Sequence, residues 1–464
     1  MDVKIGFMPL AHGTYWNFFP AHLEVAMAKS AAYRAFLSQF GTIVETGKLI
    51  DCPARSVEAR LLFQKEDVDV LVLATVTYST PDDIMLDLKR FPRPTIVWNT
   101  QASSGIPDTM DFDAWMMEHG VTGVPGLTNM LQRQGIPYFL VSGHHTSARV
   151  SRELQVLLRA VRAVRTIWGS RIGVFGHLYP GMIDFGYDPA TFFTTFGVAT
   201  VEILDSKVLQ AFKAVDPGEA AALERGLRER FETDKDFEGE ELSRSARLAL
   251  AMRRVADELG LDAATVYCQA MWQHPEIGVV SCVGNSLMAE AGLFTTCEGD
   301  VPTALSGLIL GSFCSGRSVF TEIWCNDFDN DQFLMGHSGM MNLKLFPEGS
   351  TPIRMSRHPW WNGCQGRGAC FQLQMPPGEV TLMGICPGAT RGFRFVATAA
   401  SVTERASVPL GAPNYFVRMN QPIASFLEAF GRTGAAHHLS LAYGSWIPEI
   451  SAVAKILGVE FVQV

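Results

Sequence analysis

The chain lacks the motifs that would assign it to several large classes of protein. Its 464 residues contain no C-x-x-C pair, no phosphate-binding P-loop, no H-E-x-x-H string and no G-x-S-x-G nucleophile elbow. No uninterrupted apolar run approaches the roughly 18 residues that a membrane-spanning helix needs. These absences disfavour P-loop nucleotide hydrolases, H-E-x-x-H metalloproteases, α/β-hydrolases and proteins that cross a membrane.

Charge and cysteine usage exclude further classes. The net charge of -9 argues against binding to a nucleic-acid backbone, because such binding requires clustered Lys and Arg. The nine cysteines are scattered and odd in number, which indicates reduced thiols and not a disulfide framework. The opening residues MDVKIGFMPL show no basic leader followed by a long apolar run. The sequence therefore predicts a cytoplasmic protein that binds neither nucleic acid nor membranes.

The order of the apolar segments predicts an α/β fold in three parts. The length exceeds what one hydrophobic core normally supports, so two or three domains are expected. Short β-rich runs alternate with helical spacing in residues 1–168, and again in residues 169–319. This alternation predicts two Rossmann-like parallel-sheet domains. In residues 320–464 strand-like runs bounded by Gly and Pro dominate, which predicts a β-rich, barrel-like C-terminal domain.

Polar side chains follow the strands predicted in the first domain. His12, Gln101 and His119 lie in such loops, and the pair His144 and His145 follows a further strand. Open parallel sheets bind their ligands beyond the carboxyl ends of the strands. The sequence therefore predicts that these side chains line one rim of the first sheet.

Two glutamates and two histidines in the C-terminal part form the most informative pattern. Glu298 follows an apolar run and precedes a predicted helix, whereas Glu322 interrupts a strand that otherwise looks buried. His337 lies between glycines in GHSG, and the pair His437-His438 follows three small residues. Carboxylate oxygens and neutral imidazoles together suit a divalent ion such as Mn2+. Each residue alone also has an ordinary explanation, such as a helix start or a hydrogen-bonded core histidine.

Residues 354–368, RMSRHPWWNGCQGRG, form a second unusual segment, which we predict to be a loop. It combines several arginines with two tryptophans, and Arg357 and Trp361 are its candidates for contact with a substrate. Arginine beside an aromatic wall would suit a sugar that bears a sulfonate or a phosphate. Two alternatives stay open, namely packing of this loop at a subunit interface and aromatic stacking on a neutral sugar.

Taken together, these motifs resemble those of the L-fucose/L-arabinose isomerase superfamily. The similarity follows the chain order of CE-x-D at a helix start, an acidic residue in the next strand, H-x-G, and HH-x-x-L near the C-terminus. The strings WNT at 98–100 and FQLQMPPGEVTLMGI add weaker matches. The resemblance extends over nearly the whole chain.

The resemblance implies a metal-dependent aldose–ketose isomerase that works through an enediol. Arabinose isomerases hold Mn2+ with two glutamates and two histidines, and these motifs fall on Glu298, Glu322, His337 and His438. Fucose isomerases use an aspartate where this chain has Glu322, so the site is more similar to the arabinose type. Glu298 and Glu322 would also form the catalytic acid/base pair. The family implies Mn2+, or another divalent ion such as Mg2+ or Co2+, and a homo-oligomer that is a trimer or a hexamer.

The resemblance also implies sugar contacts from the loops that contain His12 and His119. Together with the candidates above, the predicted substrate-binding residues are His12, Tyr15, Trp16, Gln101, His119, Arg357, Trp361 and His437. This chain has GVTGVPGL where arabinose isomerases carry an HGGRE-like string, which disfavours L-arabinose as the substrate. A sugar with an anionic substituent, such as sulfoquinovose, stays open. Two other functions also stay open: a non-catalytic sugar-binding or sensing protein, and an epimerase or hydrolase on the same scaffold.

Overall fold

The computed structural model shows a chain that folds as two compact units. The units are Met1–Arg165 and Thr166–Val464. The structure describes residues 2–234, 240–346, 352–359, 367–388 and 392–464.

The first unit is a parallel sheet with helices between its strands. Its strands are β1 (Lys4–Leu10), β2 (Thr42–Val44), β3 (Val70–Thr75), β4 (Thr95–Asn99) and β5 (Tyr138–Ser142). They lie in the order β2-β1-β3-β4-β5, and all neighbours are parallel. The helices between and after them are α1 (Tyr15–Phe18), α2 (His22–Leu37), α3 (Pro53–Glu66), α4 (Asp82–Arg90), α5 (Phe112–Glu118), α6 (Gly123–Arg133) and α7 (Ala148–Ile167).

The central strands of this sheet are covered on both faces. β3 reads VLVLAT, and every one of its residues is buried. Such continuous apolar runs are typical of parallel strands that lie between two layers of helices. The strand order reverses its direction between β1 and β3, and ligands of doubly wound sheets bind at this reversal. The predicted α/β character of this part is confirmed.

The second unit contains both parallel and antiparallel sheets. Its strands are β6 (Arg171–Phe175), β7 (Ala199–Ile203), β8 (Glu232–Thr233), β9 (Ala263–Val266), β10 (Phe294–Cys297), β11 (Ser318–Asp327), β12 (Gln332–Gly336), β13 (Arg354–Arg357), β14 (Ala369–Gln372), β15 (Gly378–Pro387), β16 (Phe393–Val402), β17 (Asn414–Met419), β18 (His438–Tyr443) and β19 (Glu460–Gln463). Its helices are α8 (Pro189–Phe196), α9 (Asp205–Ala214), α10 (Pro217–Arg230), α11 (Glu240–Leu259), α12 (Cys268–Gln273), α13 (Cys282–Glu290), α14 (Val301–Phe313), α15 (Ile423–Thr433) and α16 (Ile447–Leu457).

A parallel sheet and a closed barrel form the main layers of the second unit. The parallel sheet has the order β10-β9-β6-β7. The larger sheet runs β15-β18-β11-β12-β17-β16-β19, and it closes on itself because β15 also pairs with β16. Large apolar side chains such as Phe333, Met335 and Leu441 belong to the core cluster of this barrel. The predicted parallel sheet and barrel-like C-terminal part are therefore both confirmed.

Helix α14 connects the two layers of the second unit. It is buried along almost its whole length and packs against strands of both sheets. The hydroxyl of Ser306 on α14 donates to that of Ser440 on β18 at 2.8 Å. The predicted domain boundary between residues 319 and 320 thus falls inside one compact unit, between its parallel sheet and its barrel.

The arginine-rich segment differs from the prediction. Residues Arg354–Arg357 form β13, which pairs antiparallel with β14 and parallel with β8, so the predicted loop contains a strand. Residues 360–366, which include Trp361, lie outside the described residues. Within the described ranges, no helix is long and apolar enough to cross a membrane.

Candidate metal centre

Three of the four predicted ligands are brought together by adjacent strands of the barrel. Glu322 on β11 pairs with His438 on β18 and, on its other side, with Gly336 on β12. His337 follows Gly336 directly, so all three side chains lie at one level of the barrel. The register of β11 against β12 shifts just after Glu322. Such bulges bend a strand locally and are common beside active sites.

Glu298 comes from the end of β10, where the backbone is strained. Its φ of 66° is unusual for a residue other than glycine. Its amide donates to the Val266 carbonyl and its carbonyl accepts from the Tyr179 amide, both at 2.8 Å. At the next position, Gly299, a Cβ would lie 2.6 Å from the carbonyl oxygen of His177, so this approach requires glycine. Conformations of this kind cost about 1–3 kcal/mol and cluster at functional sites.

Three pairs of facing atoms among the four residues lie 3.1–4.0 Å apart. Glu298 Oε2 lies 3.1 Å from His438 Nε2 and 3.9 Å from His337 Nε2. Glu322 Oε2 lies 4.0 Å from His438 Nε2. Ligands held at about 2.1 Å from an octahedral ion lie about 3 Å apart when adjacent and about 4 Å apart when opposite. These three spacings are of that size, whereas the group among the described residues whose ligand atoms all lie within 4.8 Å of one another is Glu298, His437 and His438.

Two buried ring nitrogens at this centre have no hydrogen-bond partner among the described residues. One is His438 Nε2, although it lies 3.1 Å from Glu298, and the other is His337 Nδ1. A buried polar group without a partner costs about 1–3 kcal/mol. A cation bound at His438 Nε2 would remove that penalty, and two carboxylates lie close enough to balance its charge. The donor set thus fits an ion that accepts mixed oxygen and nitrogen ligands.

Asp300 contacts the His438 ring nitrogen that faces away from Glu298, a role that the sequence analysis missed. This aspartate is fully buried, and its Oδ1 accepts from the Thr303 amide at 2.8 Å, which caps α14. Its Oδ2 lies 2.9 Å from His438 Nδ1. A carboxylate on the far nitrogen fixes the tautomer and the orientation of a metal-binding histidine. The motif CE-x-D contained this residue, but an aspartate at a helix start is ordinary on its own.

The charged groups at the metal centre shift one another's pKa values towards the ionised forms. Burial alone would raise the pKa of Glu298, but the facing imidazoles of His337 and His438 outweigh burial and lower it below its usual range. Burial would likewise lower the pKa of His438, but Asp300 and Glu298 raise it to about 10. Since a histidine must be neutral to bind a metal, an ion would displace the proton that these carboxylates favour.

His437 lies beside the centre and offers a different donor set. One of its ring nitrogens lies within 4.8 Å of a Glu298 oxygen and of a His438 nitrogen, so these three residues alone could hold an ion. His437 is half exposed, however, and its Nδ1 is already 2.6 Å from Asp184 Oδ2. The neighbouring Phe185 stacks on the His438 ring at 5.1 Å between centroids. Binding of the ion by His337 and Glu322 stays a prediction.

Four aromatic or histidine side chains of the first unit meet at the rim of its sheet. His12 follows β1 and lies edge-on to Tyr15 at 5.3 Å and to Tyr78 at 5.9 Å between centroids. Tyr78 follows β3 and stacks on His119 at 5.8 Å. We name these four residues, His12, Tyr15, Tyr78 and His119, the aromatic rim. The rim lies where the strand order of the sheet reverses, between β1 and β3. The predicted placement of His12 and His119 at one rim is confirmed, and their contact with sugar stays a prediction.

The other predicted substrate residues make contacts within the fold. The Trp16 indole donates to Asp51 at 2.7 Å, and the Gln101 amide donates to the Ser103 carbonyl at 2.9 Å. The Arg357 guanidinium forms an ion pair at 3.0 Å with a carboxylate of α11. Their contact with a substrate stays a prediction.

A polar and aromatic cluster beside Glu298 was also missed. The Gln269 amide donates to the Tyr179 hydroxyl at 3.0 Å and accepts from that of Tyr267 at 3.3 Å. The His177 ring lies 4.4 Å from the Tyr267 ring. These residues follow β6 and β9, at the same edge of the parallel sheet as Glu298. The rule that predicted the rim of the first sheet would have found them if it had been applied to the second.

An α/β chain in which glutamate and histidine side chains face one another at 3.1–4.0 Å is typical of enzymes that use a divalent metal. No protein-family model matches the chain. Among curated proteins, it is 24% identical to the sulfoquinovose isomerase of Alkalicoccus urumqiensis, over 85% of this chain and 86% of that protein. The sulfoquinovose isomerase of Priestia aryabhattai is 19% identical over 85% of each chain. The L-arabinose isomerase of Bifidobacterium animalis subsp. lactis is 22% identical, over 84% of this chain and 78% of that protein.

The chain is thus similar over most of its length to curated sugar isomerases, and the predicted resemblance to the L-fucose/L-arabinose isomerase superfamily is confirmed. Comparison with solved structures adds nothing to this assignment. An ABC transporter solute-binding protein from Agrobacterium vitis, bound with α-D-tagatopyranose, aligns at 14% identity over 64% of this chain and 93% of that chain. Its TM-score of 0.15 is too low to support a shared fold.

Proposed function

We propose that the protein interconverts an aldose and a ketose at a divalent ion held by Glu298, Glu322, His337 and His438. The observation that supports this proposal is the close approach of three pairs of these side chains, namely Glu298 to His438, Glu298 to His337 and Glu322 to His438, at 3.1, 3.9 and 4.0 Å. Homology to sugar isomerases over most of the chain supports the same reaction.

The two glutamates would move the protons of the reaction. Glu298 is buried, and the adjacent imidazoles favour its ionised form, so we assign it as the base that removes the proton from C2 and returns it to C1. Glu322 is partly exposed and accepts a hydrogen bond from the Trp324 indole at 2.8 Å. We assign it to carry the hydroxyl proton from O2 to O1, which completes the exchange without net redox change. A bound divalent ion would polarise the substrate carbonyl as a Lewis acid.

The substrate that we propose is sulfoquinovose, a glucose-type aldose with a sulfonate at C6. Two of the relatives described above are named sulfoquinovose isomerases. The absence of the HGGRE-like string agrees with a sugar other than L-arabinose. We further propose that the protein works as a homo-oligomer, a trimer or a hexamer, which light scattering would measure.

The proposal is tested by assaying sugar conversion by the chelator-treated protein before and after it is reloaded with Mn2+, Mg2+ or Co2+. The panel would contain sulfoquinovose, glucose 6-phosphate, L-arabinose, L-fucose and D-arabinose, with ketose formation followed by NMR. We expect metal-dependent conversion of sulfoquinovose. Conversion of a neutral sugar alone would overturn the proposed substrate. If the protein binds metal but converts none of these sugars, the isomerase reaction itself is contradicted.

A further inference from the structure

A short turn between β6 and α8 contacts both members of the double histidine. The turn is a single 3-10 turn, Ile183–Phe185. Phe185 is fully buried and stacks on the ring of His438, so one end of the turn packs against a proposed metal ligand. Asp184, the middle residue, binds the neighbouring His437 instead. The turn therefore holds two adjacent histidines by different forces, ring packing for one and hydrogen bonds for the other.

Asp184 holds His437 through two of its atoms. Its Oδ2 lies 3.1 Å from the His437 backbone nitrogen and 2.6 Å from the ring nitrogen Nδ1. A half-exposed aspartate is ionised at neutral pH, and a carboxylate can only accept hydrogen bonds. Nδ1 must therefore carry the hydrogen. In the neutral ring this leaves Nε2 with a free lone pair, so Nε2 can accept a hydrogen bond but cannot donate one.

The ring of His437 lies beside the proposed metal centre. One ring nitrogen of His437 lies within 4.8 Å of a Glu298 oxygen and of a His438 nitrogen, which places the ring at the edge of the proposed metal centre. A sugar bound at this centre would present hydroxyl groups, and each hydroxyl can donate one hydrogen bond. A ring fixed in one tautomer and one orientation would select a sugar pose whose hydroxyl points at Nε2.

We propose that Asp184 is a positioning residue that fixes His437 as the hydrogen-bond acceptor for a hydroxyl of the bound sugar. This inference rests on the proposed isomerase function. It separates the two adjacent histidines by role: His438 binds the ion, and His437 orients the substrate. It also predicts that Asp184 contributes to sugar binding and not to metal binding, which distinguishes this role from support of a metal ligand.

The test compares Asp184→Asn, His437→Gln and the double variant with the wild-type protein. The asparagine side chain can donate to Nδ1 as well as accept from it, so it no longer enforces one tautomer. We expect Asp184→Asn to raise KM for sulfoquinovose about tenfold, the usual effect of losing one good hydrogen bond, with a smaller change in kcat. Mn2+ affinity should stay unchanged. Asp188→Asn is the matched control, because Asp188 lies just beyond the turn and caps α8 through the Thr191 amide.

The double variant distinguishes positioning from a general structural effect. If Asp184 acts through His437, then Asp184→Asn should add little once His437 is Gln, so the two effects on KM should not multiply. Multiplying effects, or an unchanged KM in Asp184→Asn, would overturn the inference. A fall in Mn2+ affinity without a rise in KM would also overturn it, since His437 would then belong to the metal.

A readout without substrate keeps the inference separate from the proposed function. With 15N-labelled histidine, the chain gives signals from only 11 imidazoles, and His437→Gln identifies the one of interest. We expect the Nδ1–H tautomer for His437 in the wild-type protein and a mixture of tautomers in Asp184→Asn. A wild-type ring without hydrogen at Nδ1 would refute the role of Asp184. A wild-type protein with this tautomer that converts no sugar would instead refute the isomerase function, and with it the acceptor role of His437.

Discussion

The metal centre and the aromatic rim differ in position and in composition. Three of the four proposed ligands lie on or beside antiparallel strands of the barrel, whereas His12 and Tyr78 of the rim follow parallel strands of the first sheet. At the centre, Glu298 is 6% exposed and His438 is fully buried, and opposite charges lie 3–4 Å apart. At the rim, His12 and Tyr78 are half-buried and contact each other through their rings at 5.9 Å. Buried, paired charges are suited to moving protons and holding an ion, whereas amphipathic rings are suited to the faces and hydroxyls of a sugar. We therefore expect the metal centre to serve chemistry and the aromatic rim to serve binding.

Removing the charge at the metal centre should give the largest effect. We expect Glu298→Gln to lower kcat by at least about 10^3-fold, since a positioned acid or base alone contributes on the order of 10^2–10^4 and a metal ligand is lost as well. The circular dichroism spectrum should stay that of the wild-type protein. Glu202→Gln, which changes an exposed carboxylate on β7 of the same parallel sheet, is the matched control. Retained activity in Glu298→Gln would contradict the assignment.

Acidification should weaken ion binding at the metal centre. Because Asp300 and Glu298 raise the pKa of His438 to about 10, protons compete with the ion, and this competition strengthens as the pH falls. We expect Mn2+ affinity to fall about tenfold per pH unit for each proton released, or about 100-fold between pH 8 and pH 6. Competition with a chelator of known affinity measures this. A constant affinity over that range would show that ion binding releases no proton.

Loss of the Asp300 carboxylate that contacts His438 should lower Mn2+ affinity by a smaller factor. Asn can still cap α14, so Asp300→Asn retains the helix start and removes mainly the charged partner of His438 Nδ1. We expect Mn2+ affinity to fall about 10- to 100-fold with little change in melting temperature. Asp216→Asn, at the start of α10, is a control for capping alone. Equal metal affinity in both variants would show that Asp300 serves only as a cap.

Substitutions at the aromatic rim should give the smallest effect, and they should change KM for the sugar and not metal affinity. We expect Tyr78→Leu and His119→Ala to raise KM for the sugar by about tenfold or less, because each removes one aromatic or polar contact. Metal affinity should not change. Kinetic measurement beside a metal titration separates the two. If either variant lost its metal, the expectation that the rim binds only the sugar and the metal centre binds the ion would be wrong.

Local sequence patterns were sufficient to predict much of the fold and to select the candidate ligands. Periodic apolar runs predicted the two parallel-sheet parts and the strand-rich C-terminal part. Glu322 was identified because a carboxylate inside an apolar strand is costly without a partner. Asp300 and Asp184 were missed because each is an ordinary residue locally. Their histidine partners lie 138 and 253 residues away in the chain.

The sequence by itself determined which segments form strands and helices and which side chains are able to hold a divalent ion. Hydrophobic periodicity and side-chain chemistry are local properties, so they can be read along the chain. Only the tertiary structure decided that Glu322 pairs with His438, that His337 follows the strand on its other side, and that Asp300 and Asp184 each hold one histidine of a pair. Those contacts depend on the strand register and closure of the barrel. Register is set by packing between segments far apart in sequence, and no local pattern contains it.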